Sequence, residues 1–416
     1  MKRLLWMLPV LLMVVIAGFV ATRTGGGDVL RSDKEHDTSP QVSSAETKQA
    51  VAGNTAFAFD LYQALRENDG NLFFSPHSIS VALAMTYAGA RGETERQMAD
   101  TLHFTLPQDR LHPAFNALGL ELAARGRSGL ELHIVNAIWG QRGEPFLPGF
   151  LDTLAVNYDA GLRLVDFEGE SERSRIIINR WITKQTKGKI NNLIPPELML
   201  RPTVLILTNA IYFDGKWHSK FKPKNTRPGP FTLLDGREVT VDMMSQTAEL
   251  GYAEGEGYQA VELPYRGRKL SMVVLLPNQE GFREFEEALD AERVQTIVSG
   301  LQPTLLDLTM PKFEYESSFL LKEALSGMGM PKAFGGADFS GMTGHTDLWI
   351  EEVAHKALVQ VDEEGTVAAA ATAAVVVTEV PPAGAAVRID RPFIFLIRDI
   401  ESGAVLFVGR VLDPRR

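Results

Sequence analysis

The chain reads as an α+β protein built as one large domain, on three observations. Helical and strand patterns do not alternate regularly, so a doubly wound parallel sheet is not expected. Several strand patterns are nearly continuous runs of apolar residues, as in strands buried on both faces. No internal repeat or second-domain boundary interrupts the 416 residues.

An amphipathic helix is expected from Asn54, because Phe57, Phe59, Leu61, Tyr62 and Leu65 fall near helical spacing. Ser75-Pro76 fits a helix start, with an apolar stretch from Ile79 behind it. G-A-R-G-E-T from Gly89 reads as a turn into another helix. Val204–Phe213, Leu270–Leu276 and Leu305–Met310 are expected as strands. Two further β-rich runs start at Arg391 and Ala404, joined by a short turn around Ser402 and Gly403.

At the N-terminus, Lys2 and Arg3 precede an apolar run from Leu4 to Ala21. This reads as a secretory signal, and at about 18 residues it is also just long enough for a membrane anchor. Residues 1–21 are therefore assigned as signal peptide or anchor, residues 22–48 as a flexible linker, and residues 49–416 as the folded domain. The expected location is extracytoplasmic: secreted or periplasmic, with a tether through residues 4–21 left open. The chain has no cysteine, which is compatible with an oxidising compartment because such compartments permit disulfides without demanding them.

A net charge of −10 argues against nucleic acid as the main partner. One basic cluster, Lys216, Lys220, Lys222, Lys224 and Arg227, reads as a solvated face, with a polyanion site as the alternative. Catalytic constellations are missing: there is no thiol, no H-E-x-x-H, no G-x-S-x-G and no phosphate-binding P-loop. G-E-G-Y-Q-A from Gly255 matches a dinucleotide pattern but leads into a strand rather than a helix. His355 follows Glu351 and Glu352, yet no neighbouring residue supplies a nucleophile, so a buried structural histidine is expected.

The most informative stretch is V-D-E-E-G-T-V-A-A-A-A-T-A-A-V-V-V-T-E-V from Val361 to Val380. Its alanines favour helix and its valines favour strand. About 25 residues of weakly structured apolar chain lie between Glu363 and the last strands, and loops that long in a compact domain are usually functional or disordered.

E-E-G-T-V-A-A-A-A-T-A-A from Glu363 resembles the hinge of the serpins, serine protease inhibitors with a reactive loop. N-L-F-F-S-P-H-S-I-S from Asn71, T-N-A-I-Y-F-D-G-K-W from Thr208, M-P-K-F from Met310, H-K-A from His355 and R-P-F-I-F-L-I from Arg391 resemble serpin motifs in the expected order. The resemblance spans about Asn54 to Pro414. It implies three β-sheets, about eight to nine helices, an exposed reactive-centre loop, no cofactor and a monomeric active form.

It also implies the activity: a serine protease cleaves the loop, and the freed upstream part inserts as a new strand into the central sheet. The implied hinge comprises Glu363, Glu364, Gly365, Thr366, Val367, Ala368, Ala369, Ala370 and Ala371. Family spacing counts fifteen positions from Gly365 to Glu379 and so implies the scissile bond Glu379–Val380. The implied target is then a glutamate-preferring protease, or an elastase- or subtilisin-like one if the bond lies one or two residues away. Ser75, Ser78, Asn209 and His355 resemble the polar gate beneath the central sheet, and Trp217 the tryptophan where the loop first enters. Two departures stand out: Val367 replaces a frequent glutamate, and Ala383–Ala386 lengthen the downstream loop.

An inserted strand alternates its side chains. Thr366, Ala368, Ala370, Thr372, Ala374, Val376 and Thr378 would face the core together, small or β-branched and uncharged. Roughly ten new ladder bonds at ~0.5–1.5 kcal/mol each, with the burial of those side chains, would release on the order of 10 kcal/mol. The expected alternative is a non-inhibitory member of the family that acts as a binding or chaperone-like protein.

Overall fold

The computed structural model describes residues 22–24, 27–125, 130–200, 205–366 and 385–415. In chain order the strands are β1 (Thr22–Thr24), β2 (Gly27–Leu30), β3 (Leu72–Phe74), β4 (Leu130–Gln141), β5 (Leu162–Val165) and β6 (Leu205–Lys216). β7 (Arg227–Thr232), β8 (Glu238–Gly255), β9 (Tyr258–Pro264), β10 (Leu270–Pro277), β11 (Gln302–Pro311) and β12 (Phe313–Leu320) follow. β13 (Ile350–Val361), β14 (Gly365–Thr366), β15 (Ala385–Arg388), β16 (Phe393–Asp399) and β17 (Val405–Val411) complete the set.

The central sheet runs β1-β2-β5-β4-β6-β14-β13-β12. A second hydrogen-bonded network runs β15-β11-β8-β9-β10-β16-β17-β3, with β7 on β8. The 18-residue β8 joins two sheets here: its first part pairs with β7 and β11, its last residues with β9. The described residues also hold ten α-helices, the shortest being Ser340–Thr343. The α+β class is present.

The strand expectations land within a few residues, because continuous apolar runs have only a buried sheet to occupy. β6 is buried throughout from Leu205 to Phe213, as its sequence requires. Ser75 caps α2 (Pro76–Tyr87), accepting the Ser78 amide, with Pro76 as first helical residue. The Gly255 motif becomes a tight turn at Gly257 (φ +79°) between β8 and β9, so no helix follows to hold a pyrophosphate.

Two expectations need correction. α1 spans Ser44–Leu65, ten residues earlier than its apolar spacing shows; its start is a capping box between Ser43 and Glu46. The linker assigned to residues 22–48 is structured where it is described. β2 pairs with β5, Ser32 donates to Asp152 at 2.5 Å, and the Asp37 amide donates to the Val156 carbonyl at 3.0 Å. These anchors are polar and isolated, so no hydrophobic period announces them. Residues 1–21 lie outside the described residues. Among the described residues no helix is long and apolar enough to cross a membrane.

The central sheet is covered on both faces. α2 packs on one side with Ile79, Leu83 and Leu207 in the main core. Helix Ser171–Gln185 covers the other through Ile178 and Ile182 against Trp139, Ile206 and Ala354.

Candidate functional site

The site lies along the seam between β6 and β13. These strands are parallel and pair directly from Leu205↔Ile350 to Tyr212↔Leu358, so no strand separates them over that length. Above it they part. The chain leaving β13 turns at Asp362, whose carboxylate accepts the amides of Glu364 (2.8 Å) and Gly365 (3.2 Å). β14 then enters the gap antiparallel to both neighbours, with Thr366 level with Gly215 on one side and Val361 on the other.

Thr366 is fully buried, its hydroxyl 2.8 Å from that of Tyr265. Tyr265 stacks on Trp217, ring centroids 4.7 Å apart. Burial raises the Tyr265 phenol far above its ordinary range, so it stays neutral and available as donor or acceptor. Trp217 holds the turn twice, its indole donating to the Asp362 carbonyl and its amide to the Glu364 carbonyl, both at 2.9 Å. Gly365 is required by a close approach: at φ +159° a Cβ there would lie 2.0 Å from the Gly215 carbonyl oxygen.

The contacts of Glu363 and Glu364 form a latch on the turn that precedes β14. Glu363 accepts the Thr226 hydroxyl at 2.6 Å and pairs with Lys312 at 2.9 Å. Burial pushes its pKa up, but the bonds from Thr226 and Lys312 outweigh that and hold the group below the ordinary carboxylate value. Glu364 pairs with Lys220. Asp362 shifts the other way, raised by burial despite the two amides it accepts. In the basic cluster Lys222, Lys224 and Arg227 are exposed, as a solvated face should be, whereas Lys220 serves the latch.

Lower on the seam, Asn136, Asn209, His355 and Phe319 stand level on β4, β6, β13 and β12. His355 Nδ1 lies 2.5 Å from Asn209 Oδ1, and its Nε2 accepts the Ser75 amide at 3.3 Å. The amide can only donate, so Nε2 carries the lone pair and Nδ1–H donates to Asn209. Asn209 in turn donates to Asn136 Oδ1 and Ser78 Oγ, and Ser78 Oγ donates to Asn136 at 3.1 Å. Ser75 Oγ closes the network by donating to the Leu406 carbonyl at 2.7 Å. Burial lowers the His355 pKa to about 3, so the gate is a neutral, fully bonded cluster.

The Asn209–His355 bond therefore crosses the seam that an incoming strand would have to enter. Ser75, Ser78, Asn209 and His355 are brought together, and Trp217, Glu363, Glu364, Gly365 and Thr366 meet at the mouth. Val367, Ala368, Ala369, Ala370, Ala371, Glu379 and Val380 lie outside the described residues. Sequence reasoning missed Asn136, Tyr265, Thr226 and Lys312. A signal existed for the first: N-A-I from Asn136 repeats N-A-I from Asn209, and the two asparagines pair in register.

This geometry defines a class: a sheet with an entrance at one end of its central seam and a polar lock further along it. The comparisons agree. Residues 52–414 match the family Serpin (serine protease inhibitor). The leukocyte elastase inhibitor of Xenopus laevis is 40% identical over 371 residues, covering 86% of this chain and 98% of that protein. A serpin-like protein of Thermococcus kodakarensis is 38% identical over 377 residues, covering 90% and 88%. Among solved structures, the native thermophilic serpin tengpin superposes with a TM-score of 0.80 at 28% identity, covering 91% and 97%. Thyroxine-binding globulin in complex with thyroxine superposes with a TM-score of 0.79 at 30% identity, covering 88% and 99%. The chain belongs to the serpin family, whose general activity is serine protease inhibition rather than enzymatic catalysis.

Proposed function

We propose that this protein is an irreversible, suicide-type inhibitor of a serine protease. The carrying observation is Thr366, seated and buried between β6 and β13 at the mouth of a seam that is closed below it. Cleavage after Glu379 would free the upstream loop to continue β14 downwards. Continuing the register of Thr366 with Gly215 and Val361 brings Thr372 level with both Asn209 and His355. The inserted strand would thus replace the Asn209–His355 bond with partners of its own. It would drag the acyl-linked protease along the sheet and distort its active site.

The assigned bond is Glu379–Val380, which suits a glutamate-preferring protease; cleavage at Val377, Thr378 or Val380 would suit an elastase- or subtilisin-like one. Relatives named for leukocyte elastase support inhibition in general. The basic start and apolar run of residues 2–21 support export, with the active form a monomer outside the cytoplasm. A non-inhibitory binding role is the rival reading, and the small, uncharged hinge argues against it.

The test is incubation with proteases of these specificities. The expected result is a denaturant-resistant complex and a released peptide beginning at Val380. Plain cleavage with no such complex would establish the rival.

A further inference from the structure

A cleft of about 700 Å³ opens between the first turns of two helices, Gln108–Arg125 and Pro148–Tyr158, and the end of α2. Its size falls in the range of small-molecule sites. We propose that this cleft binds a small uncharged aromatic molecule whose carbonyl oxygen accepts a hydrogen bond from His112.

His112 stands four positions after Gln108 and three after Asp109, on the face of its helix that lines the cleft. It is 4% exposed, and burial lowers its pKa to about 4, so the imidazole is neutral at pH 7. Its Nδ1 lies 2.7 Å from the Tyr158 hydroxyl. Burial raises the Tyr158 phenol far above its ordinary range, so it keeps its proton. The phenol is the stronger acid of this pair and the imidazole nitrogen the stronger base. The hydroxyl therefore donates to Nδ1, and the ring proton sits on Nε2. Nε2 is buried and has no hydrogen-bond partner. Tyr158 is not on the cleft wall, so the Nδ1 edge of the ring turns away from the cleft and the Nε2 edge turns towards it. A buried donor left unmet is destabilising until an acceptor reaches it.

The rest of the wall sets what should carry that acceptor. The side chains of Pro113, Leu147 and Phe150 give it an apolar surface that suits an aromatic body. Its two charged side chains, Arg91 and Asp109, are exposed and opposite in sign, so the wall favours neither an anion nor a cation. The Gln108 side-chain amide is already donated to the Tyr87 and Ala90 carbonyls and to Glu95, and the Thr153 hydroxyl to the Gly149 carbonyl. His112 Nε2 is thus the buried donor on this wall that still lacks a partner.

Titration of the full chain by NMR with acetophenone, against 2-phenylpropene, in which a methylene replaces the carbonyl oxygen, tests the site. Acetophenone should bind at least about fivefold more tightly. His112→Phe keeps a ring and removes the donor, so the two compounds should then bind equally. Gly149→Phe, at a wall position where an added Cβ meets open space, should fill the cleft and abolish binding of both. No binding, equal affinities in the parent chain, or a preference that survives His112→Phe would overturn the site. The Nε2–H signal of His112 needs no variant: acetophenone should move it downfield, and an unmoved signal would overturn the site as well. None of these outcomes depends on the inhibitory reading.

Discussion

The two ends of one seam are held by different physics. At the mouth, between Lys216 and Val361, the strands are already apart, and β14 is fastened there by Glu364 paired with exposed Lys220 and by buried Glu363 paired with partly exposed Lys312. At the gate, between Asn209 and His355, the strands touch, and the fastening is neutral, buried and fully hydrogen-bonded. Partly exposed ion pairs contribute little, about 0–1 kcal/mol. Each buried polar group left unpaired costs about 1–3 kcal/mol. On the proposed mechanism the seam is therefore weakly held where insertion would begin and firmly held where it would have to continue. That ordering is what a poised entrance requires.

The largest way to break the comparison is to spoil the strand that enters. Thr366 has no exposed surface and only a phenol for company, so Thr366→Arg would bring an unpaired charge into the sheet, at several kcal/mol. The expected outcome is a substrate rather than an inhibitor: normal cleavage, little covalent complex on denaturing gels, and no gain in melting temperature after nicking. Full inhibition by this variant would sink the insertion mechanism.

Next comes the gate. His355→Ala strands Asn209 Oδ1 and the Ser75 amide together, so a loss of about 2–5 kcal/mol of native stability is expected. Lys312→Ala at the mouth should cost about 1 kcal/mol or less. Denaturant melts of the uncleaved variants check the pair, and equal losses would erase the distinction between the two ends.

Much of this was legible in the sequence, for reasons that differ by residue. Thr366 and Gly365 stand in a run whose small size and missing charge suit the backbone that the proposed mechanism would slide between strands. Ser75, Ser78, Asn209 and His355 sit in motifs that resemble a known family, but nothing local states that they meet; β6, β13 and α2 bring them together across hundreds of residues. Asn136 was visible only as a repeated N-A-I and gained meaning once β4 and β6 paired. Tyr265 follows a strand end like many tyrosines, and its bond to Thr366 exists only because the sheets stack. The strap of residues 27–37 was read as linker because single polar anchors such as Ser32 and Asp37 leave no periodic trace.

Acid sharpens the comparison further. Burial lowers His355 to about 3 from its ordinary 6.5, so the folded state resists a proton that the unfolded state accepts. The stability tied to neutral His355 is complete above pH 6.5 and is lost as pH falls from there towards 3. His77 and His112, each lowered by burial to about 4, act in the same sense. Proton uptake on unfolding at pH 5.5 should therefore fall in His355→Gln relative to the parent chain, measured from the slope of stability against pH. Glu363, held below the ordinary carboxylate value, keeps its contribution down to pH about 4.5 and loses it only as pH drops through its lowered folded value. The gate should thus weaken at a milder pH than the latch. An unchanged slope in His355→Gln would remove the gate from the account of acid sensitivity.

The smallest expected effect is the finest test of the mouth. Lys220 is 42% exposed and Glu364 22%, so salt and water screen their attraction. Lys220→Ala should shift native stability by no more than about 0.5 kcal/mol. Its effect on rate need not be so small, because the bond is made only before the hinge leaves its turn. Losing it removes a contact of the starting state while the inserted strand, with Glu364 at its very base, is left nearly as it was. Loop insertion in Lys220→Ala should accordingly be equal to or faster than in the parent chain, and the advantage should fade as salt is added. Rapid-mixing measurements of complex formation at low and high ionic strength decide the matter. A slower variant would mean that Lys220 guides the hinge into the sheet instead of holding it at the door.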